Sequence, residues 1–234
     1  MTTVAIVVAT VLSYFLGWTL KLPLLVPVLN TLASFPFMVA ALRRGDVRLA
    51  ITRMLVWALT LAVCATAFAY VRPWEAGQVF ANGARYRADM FAWIMTGRGA
   101  ESTPSQFIPQ HARDTALFAV VDLVSGGFAG MAMGAALMNY MGTYVGSLAA
   151  ASRYPLVAIF LGWHPWAVIR VVSFVVIGVV LSGPLLSRVF RFRSDGAEQR
   201  RLLTWAAGGL IADVTLKALL APAWRNLLLR VAGW

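Results

Sequence analysis

Long stretches of this chain carry no acidic residue, and three of them carry no charge at all. Segments 4–20, 22–42 and 55–71 are uncharged, and 168–186 contains a single basic residue, Arg170. A membrane-spanning helix needs roughly 20 apolar residues, and about 17 still suffice. The whole chain is 60% hydrophobic and 12% charged, about half the charge of an ordinary soluble domain. The apolar residues come in blocks rather than amphipathic stripes, so the 234 residues read as one all-α, polytopic membrane domain (1–234).

A second feature says how such helices pack. Gly126, Gly127, Gly130 and Gly134 are followed by Asn139, Gly142 and Gly146. In a soluble helix each interior glycine costs about 1 kcal/mol relative to alanine. Between membrane helices the missing side chain lets two backbones approach, and van der Waals contact supplies the association. These glycines predict close packing around the fourth and fifth spans, and Asn139 is expected to hydrogen-bond across helices.

Seven spans are expected, over 3–20, 22–42, 54–71, 115–138, 143–162, 166–186 and 202–222; the count is six if 139–165 holds one broken span. Prolines 23, 27 and 36 predict a kinked second helix, which neighbouring groups in a bundle accommodate. Connection 43–53 holds Arg43, Arg44, Arg48 and Arg53 against Asp46, and 187–201 holds five arginines against Asp195 and Glu198. Basic short connections stay in the cytoplasm. That places the N-terminus inside and the C-terminus outside a bacterial cytoplasmic membrane.

Segment 72–114 then lies outside, with five arginines against four acids. Within it, Tyr86, Met90, Phe91, Trp93, Ile94 and Met95 alternate with Arg85, Arg87 and Asp89, as in an amphipathic helix lying in the membrane interface. Residues 97–109 read as a loop. Trp18, Trp74, Trp163, Trp166 and Trp224 fall near span ends, where indole rings sit among headgroups. Trp163-His164-Pro165-Trp166 is expected to form an interhelix turn at the outer face.

Four ionisable residues fall inside apolar spans: Asp122, Arg170, Asp213 and Lys217. Each is costly there and needs a partner or water. Asp213 and Lys217 are four apart on one helix, the spacing at which side chains meet. They form either a self-neutralising pair, the plainer reading, or part of a proton or ion relay. Asp122 and Arg170 lie on different spans and form either a cross-helix pair or contacts to an ion or a lipid headgroup.

Other chemistries lack residues. The net charge of +11 comes almost wholly from arginines set between apolar blocks, the pattern of membrane orientation and anionic-lipid contact rather than of nucleic-acid binding. The lone Cys64 closes no intrachain disulfide, and the two histidines, His111 and His164, have no ligand cluster beside them. No metal or other cofactor is expected, and no nucleophile elbow, zinc-protease or phosphate-loop motif occurs. An enzyme would have to draw on Arg85, Arg87, Asp89, Glu101, His111 and Asp114 of the outer segment, acting on a lipid-linked substrate.

Asp213-Val-Thr-Leu-Lys217 looks like the Asp-x-x-x-Lys element of microbial rhodopsins, but 54–71 has no carboxylate and no retinal-lining aromatic set is present. A longer stretch, about 121–228, resembles the stage II sporulation protein M family of polytopic membrane proteins. The resemblance runs through Gly126-Gly127, Gly130, Gly134, Asn139, Gly142 and Gly146, then the His164 turn, Gly178, the basic linker 188–201 and a final apolar helix. The family's turn usually reads Pro-His-Gly followed by a glutamate, where this chain has Trp163-His164-Pro165 and apolar residues near Val168. The resemblance implies a non-catalytic membrane protein that assembles with partners.

The residues together predict a non-enzymatic membrane subunit or scaffold, touching lipid and a membrane-protein partner or a second copy of itself. The alternative is a small transporter or channel using Asp122, Arg170, Asp213 and Lys217.

Overall fold

The computed structural model describes residues 1–192 and 195–234, and every regular element among them is a helix. Arg193 of the second basic connection lies outside the described residues. In chain order the helices are α1 (Thr2–Leu20), α2 (Leu25–Leu32), α3 (Phe35–Leu42), α4 (Val47–Val71), α5 (Pro73–Val79), α6 (Gly83–Thr96), α7 (Pro104–Ser125), α8 (Phe128–Ala151), α9 (Pro155–Gly162), α10 (Pro165–Phe190) and α11 (Gly196–Ala232). A single 3₁₀ turn, Ala100–Ser102, joins α6 to α7.

Five segments are long and apolar enough to cross a membrane: α1, the α2–α3 pair, α4, α10 and α11. Helices α7 and α8 are also long, 22 and 24 residues, but more polar. The polarity of α8 follows from its place in the bundle, where α2, α4, α6, α7 and α9 pack around it. Its run from Met141 to Ala149 is buried throughout. A helix that faces protein rather than lipid is free to be built of Gly, Ala, Ser and Thr, the residues that permit close approach.

Three boundaries differ from expectation. The expected span 115–138 is broken, because Gly126 (φ 61°) and Gly127 (φ 94°) adopt left-handed backbone between α7 and α8. These two glycines therefore make the turn rather than a helical packing face; both their N–H groups donate to the Asp122 carbonyl, at 2.9 Å for Gly127. Helix α8 then runs unbroken through 139–151, and the interruptions fall instead at 152–154 and 163–164. The second span is divided rather than kinked: α2 ends before Ser34, and Pro36 opens α3 at its first turn. The expected loop 97–109 is shorter, since Pro104 starts α7 with the fixed φ that suits a first helical position.

The two basic connections meet at one end of the bundle. Arg48 pairs with Glu198 at 2.7 Å, and the Arg43 guanidinium lies 5.2 Å from the Phe190 ring centre. Asp46 and Asp195 cap the helices that leave these connections, accepting from Leu49 N and from Ala197 N and Glu198 N. At the other end, α6 exists as expected, but its apolar face is covered by protein. Met90, Trp93 and Ile94 pack with Tyr144, Val145 and Leu148 of α8, while Arg85 and Asp89 stay exposed. Arg225 of α11 closes the α6 C-terminus by donating to the carbonyls of Trp93, Ile94 and Met95.

The most extensive contact in the bundle is α4 against α8. A Cβ at Gly142 would lie 2.4 Å from Ala65 Cβ, and one at Gly146 would lie 2.3 Å from the Thr66 carbonyl oxygen. Gly142 and Gly146 therefore face Ala65 and Ala69 across a seam of small residues spaced four apart on both helices. Above this seam Asn139 ties three helices together. Its Nδ2 donates to Asn30 Oδ1 at 2.9 Å, and its Oδ1 accepts from Tyr14 OH. Asn30 in turn donates to Ser13 Oγ at 2.7 Å, and its carbonyl accepts from Trp57 Nε1. Membrane hydrogen bonds of this kind average about 0.6 kcal/mol each, so the network fixes which helices meet more than it adds stability.

Candidate functional site

Between α3, α4, α6, α7, α8, α10 and α11 lies a cavity of about 190 Å³. Its polar wall carries Glu101, His111, Asp114, Arg170 and Lys217, together with Tyr86 and Tyr140. The rest is apolar, with Met38, Met54, Trp57, Met131 and Met138 among the lining residues. Unbranched methionines fill irregular space and re-pack at little cost. Gln110 on this wall is exposed and Asp114 half-buried, so the cavity reaches the surface along α7.

The charges pair differently from the expectation. Arg170 makes a bidentate contact with Asp213, both N–O distances 2.9 Å. His111 Nε2 lies 2.8 Å from the same carboxylate. Asp213 is fully buried; Arg170 of α10 holds it in two hydrogen bonds, and His111 of α7 lies beside it. Lys217, one turn along α11, bonds instead to Glu101 at 2.9 Å and lies 4.6 Å from the Phe107 ring centre. Neither an Asp213–Lys217 pair nor an Asp122–Arg170 pair forms. Spacing along α11 does put Asp213 and Lys217 on one face, but that face meets α7, α10 and the 3₁₀ turn, each of which brings a better-placed partner. The fork of Arg170 matches a carboxylate in two bonds, which a lysine cannot do.

Glu101 sits in the connection between α6 and α7, outside the long helices. Burial by itself would raise its carboxyl, but the charge and hydrogen bond of Lys217 outweigh that and hold it below the ordinary glutamate range. A group whose folded value is depressed contributes stability above its unfolded value, about 4.3 for glutamate, and loses it as pH falls towards the folded one. The unfolding midpoint of the detergent-solubilised protein is therefore expected to drop as pH is lowered through that range. Glu101→Gln should remove this component of the pH dependence; an unchanged profile would show that the pair carries no linkage.

Asp122 stands apart. It is fully buried, and neither carboxyl oxygen has a hydrogen-bond partner. Gly130 and Gly178 leave the room it occupies: a Cβ on Gly130 would fall 2.0 Å from Asp122 Oδ1, and one on Gly178 would fall 3.6 Å away. Of the remaining glycines, Gly134 has nothing within 4 Å of where its Cβ would stand and lines the cavity.

Three of the outer-segment polar residues, Glu101, His111 and Asp114, come into the cavity, while Arg85 and Asp89 remain exposed on α6 and Arg87 bonds the Pro73 carbonyl. Tyr86, whose ring is tilted against that of Tyr140 with ring centres 4.7 Å apart, was not signalled by charge or motif. The expected interfacial turn at 163–166 is instead mostly interior. His164 and Trp166 are buried and stacked, ring centres 4.7 Å apart, with Trp224 and Tyr144 around the imidazole. Among the described residues no cluster of His, Cys, Asp and Glu has the arrangement of a metal site. No protein-family model, curated protein or solved structure matches the chain.

Proposed function

We propose that this protein is a small membrane transporter whose cavity receives an amphipathic molecule. The observation that carries the reading is the two-part lining: paired charges and tyrosines on one side, methionine and aromatic surface on the other. Arg170, Lys217, Glu101 and His111 offer both donors and acceptors to a polar headgroup. The apolar remainder of the ligand lies among Met38, Met54 and Trp57. Such a pocket, mostly apolar with a few convergent polar groups, is the usual form of a small-molecule site.

In this reading the chain crosses the bacterial cytoplasmic membrane seven times, with α7 and α8 as the fourth and fifth crossings. The joined basic ends at 43–53 and 187–201 face the cytoplasm, as the positive-inside rule prefers. Helices α5, α6 and α9 then lie on the outer side, and the C-terminus follows them. A scaffold role has less support, because the glycines that suggested a partner surface are used inside the chain. Gly142 and Gly146 meet α4, Gly130 meets Asp122, and Gly126 and Gly127 form a turn.

Gly134→Leu tests the cavity without disturbing its walls. The new side chain enters open space, so the wild type is expected to carry an amphiphile through purification and the variant to melt with the wild type yet carry none. Native mass spectrometry from mild detergent reads this as disappearance of a small-molecule adduct. An adduct of equal abundance in the variant would reject the cavity as the binding site.

A further inference from the structure

Asp122 is the buried charge that the ion pairs of the cavity leave unused, and its surroundings are chemically bare. On its own helix Phe118 and Ser125 stand one turn to either side; from α8 it faces Gly130, and from α10 Gly178, which Phe118 also approaches. None of these groups titrates. Ser125 Oγ is already engaged, donating to the Val121 carbonyl and accepting from Ala129 N. Nearby Ser182 donates to the Val179 carbonyl. The charged groups that share the cavity lie further out along the helices. Asp114 is eight residues before Asp122 on α7, and Arg170 eight before Gly178 on α10, each about 12 Å along the axis.

A carboxylate in this place has no counter-ion and no donor, and an unpaired ionised group buried in apolar surroundings changes protonation rather than remain charged. A metal cation would need several oxygen ligands, and Asp122 offers only its own two. A proton needs one. The two glycines beside it matter for access: Gly130 and Gly178 both line the cavity, and neither has a side chain to stand between the Asp122 carboxyl and that space.

The geometry points to Asp122 as a proton-binding site at the basic, inner end of the cavity, whose occupancy is linked to what the cavity holds. The step is a simple protonation: an O–H bond forms at one carboxyl oxygen, and the proton comes from solvent. The link to ligand rests on the transport reading above. The placement resembles a two-station path, with the polar headgroup site at Arg170 and Lys217 and the proton site about two helical turns away.

The experiment uses the full chain in phosphatidylcholine liposomes. Infrared difference spectra recorded as pH is raised are expected to show loss of a protonated-carboxyl C=O band, and Asp122→Asn should lack that band. In parallel, a phosphocholine amphiphile brominated on its chain quenches Trp57 and Trp163, with Gly134→Leu giving the non-cavity background. Wild-type affinity for this probe is expected to change with pH by up to about tenfold per unit, the limit for one linked proton, and to be flat in Asp122→Asn. A band that never titrates, or that survives in Asp122→Asn, overturns the proton site. Equal pH dependence in both proteins overturns the link. Should the amide variant not fold, Asp122→Glu is expected to shift the band, and an unshifted band counts against the assignment. Absence of cavity-specific quenching at every pH removes the transport reading instead, and the titrating band alone then upholds or overturns the proton site.

Discussion

Gly146→Ala is expected to unfold or severely destabilise this protein, while Gly134→Ala on the same helix is expected to leave it intact. The two differ only in what a methyl group meets. At Gly146 it would sit 2.3 Å from the Thr66 carbonyl oxygen, 2.7 Å from Ala69 Cβ and 2.7 Å from Tyr70 N. Two of these are backbone atoms in the interior of α4, which no side-chain rotation relieves, so α4 and α8 must move apart. Overpacking in a core costs about 1–3 kcal/mol and sometimes more, and separation along the most extensive interface in the bundle belongs at or above that upper end. The Asn30–Asn139–Tyr14 network joins α2, α8 and α1 and is tied to α4 through Trp57 and the Leu61 carbonyl, so it would be strained with it. At Gly134 nothing lies within 4 Å, and exchanging a helix-interior glycine for alanine stabilises by roughly 0.5–1 kcal/mol. Thermal unfolding of both variants in the same detergent gives the comparison. A Gly146→Ala midpoint close to wild type would mean that α4 and α8 do not pack as described.

Which of these glycines are critical is partly legible in the sequence. The spacing of Gly142 and Gly146 marks one helical face, and the structure does bury that face against small residues. The same spacing from Gly126 through Gly130 to Gly134 looks equivalent, yet its members do unrelated things: one turns the chain, one makes room for a carboxyl, one faces a cavity. Spacing identifies a face only where the helix is continuous, and Gly126-Gly127 is the place where it stops. The apolar blocks were more reliable, because enough uncharged residues in sequence leave the backbone no alternative in lipid but to satisfy itself as a helix. For α7 and α8 the spans expected over 115–138 and 143–162 had the wrong bounds, since protein rather than lipid surrounds α8 and α7 borders the polar wall. The charged site was legible in its members and not in its pairing. Arg170, Asp213 and Lys217 announced themselves by lying in apolar helices. Glu101 and His111 looked like ordinary polar residues of a connecting segment, and only the fold of 97–114 back against α10 and α11 makes them partners.

That pairing determines a second large effect. Asp213→Ala is expected to be far more damaging than the combined change Asp213→Leu with Arg170→Leu. The single variant leaves the Arg170 guanidinium, the first partner of the missing carboxylate, without its two 2.9 Å bonds, and it leaves His111 without the group 2.8 Å away. Removing one member of a buried ion pair costs about 3–5 kcal/mol, chiefly because the other charge stays behind, whereas replacing both members with apolar groups is often close to neutral. Arg170 is 28% exposed and Asp213 is fully buried, so water relieves the stranded guanidinium only in part, and the single variant should fall towards the lower end of that range. A double-mutant cycle on melting midpoints measures the coupling directly. The control is Asp213→Asn with Lys217→Met, a change that would be mild if those two residues neutralised each other. Here it separates two independent pairs, weakening Arg170 on one side and stranding Glu101 on the other, so the two losses are expected to add. Near-additivity for Asp213 with Lys217, alongside strong coupling for Asp213 with Arg170, is the pattern that the distances require; the reverse pattern would return the charges to the arrangement expected from spacing alone.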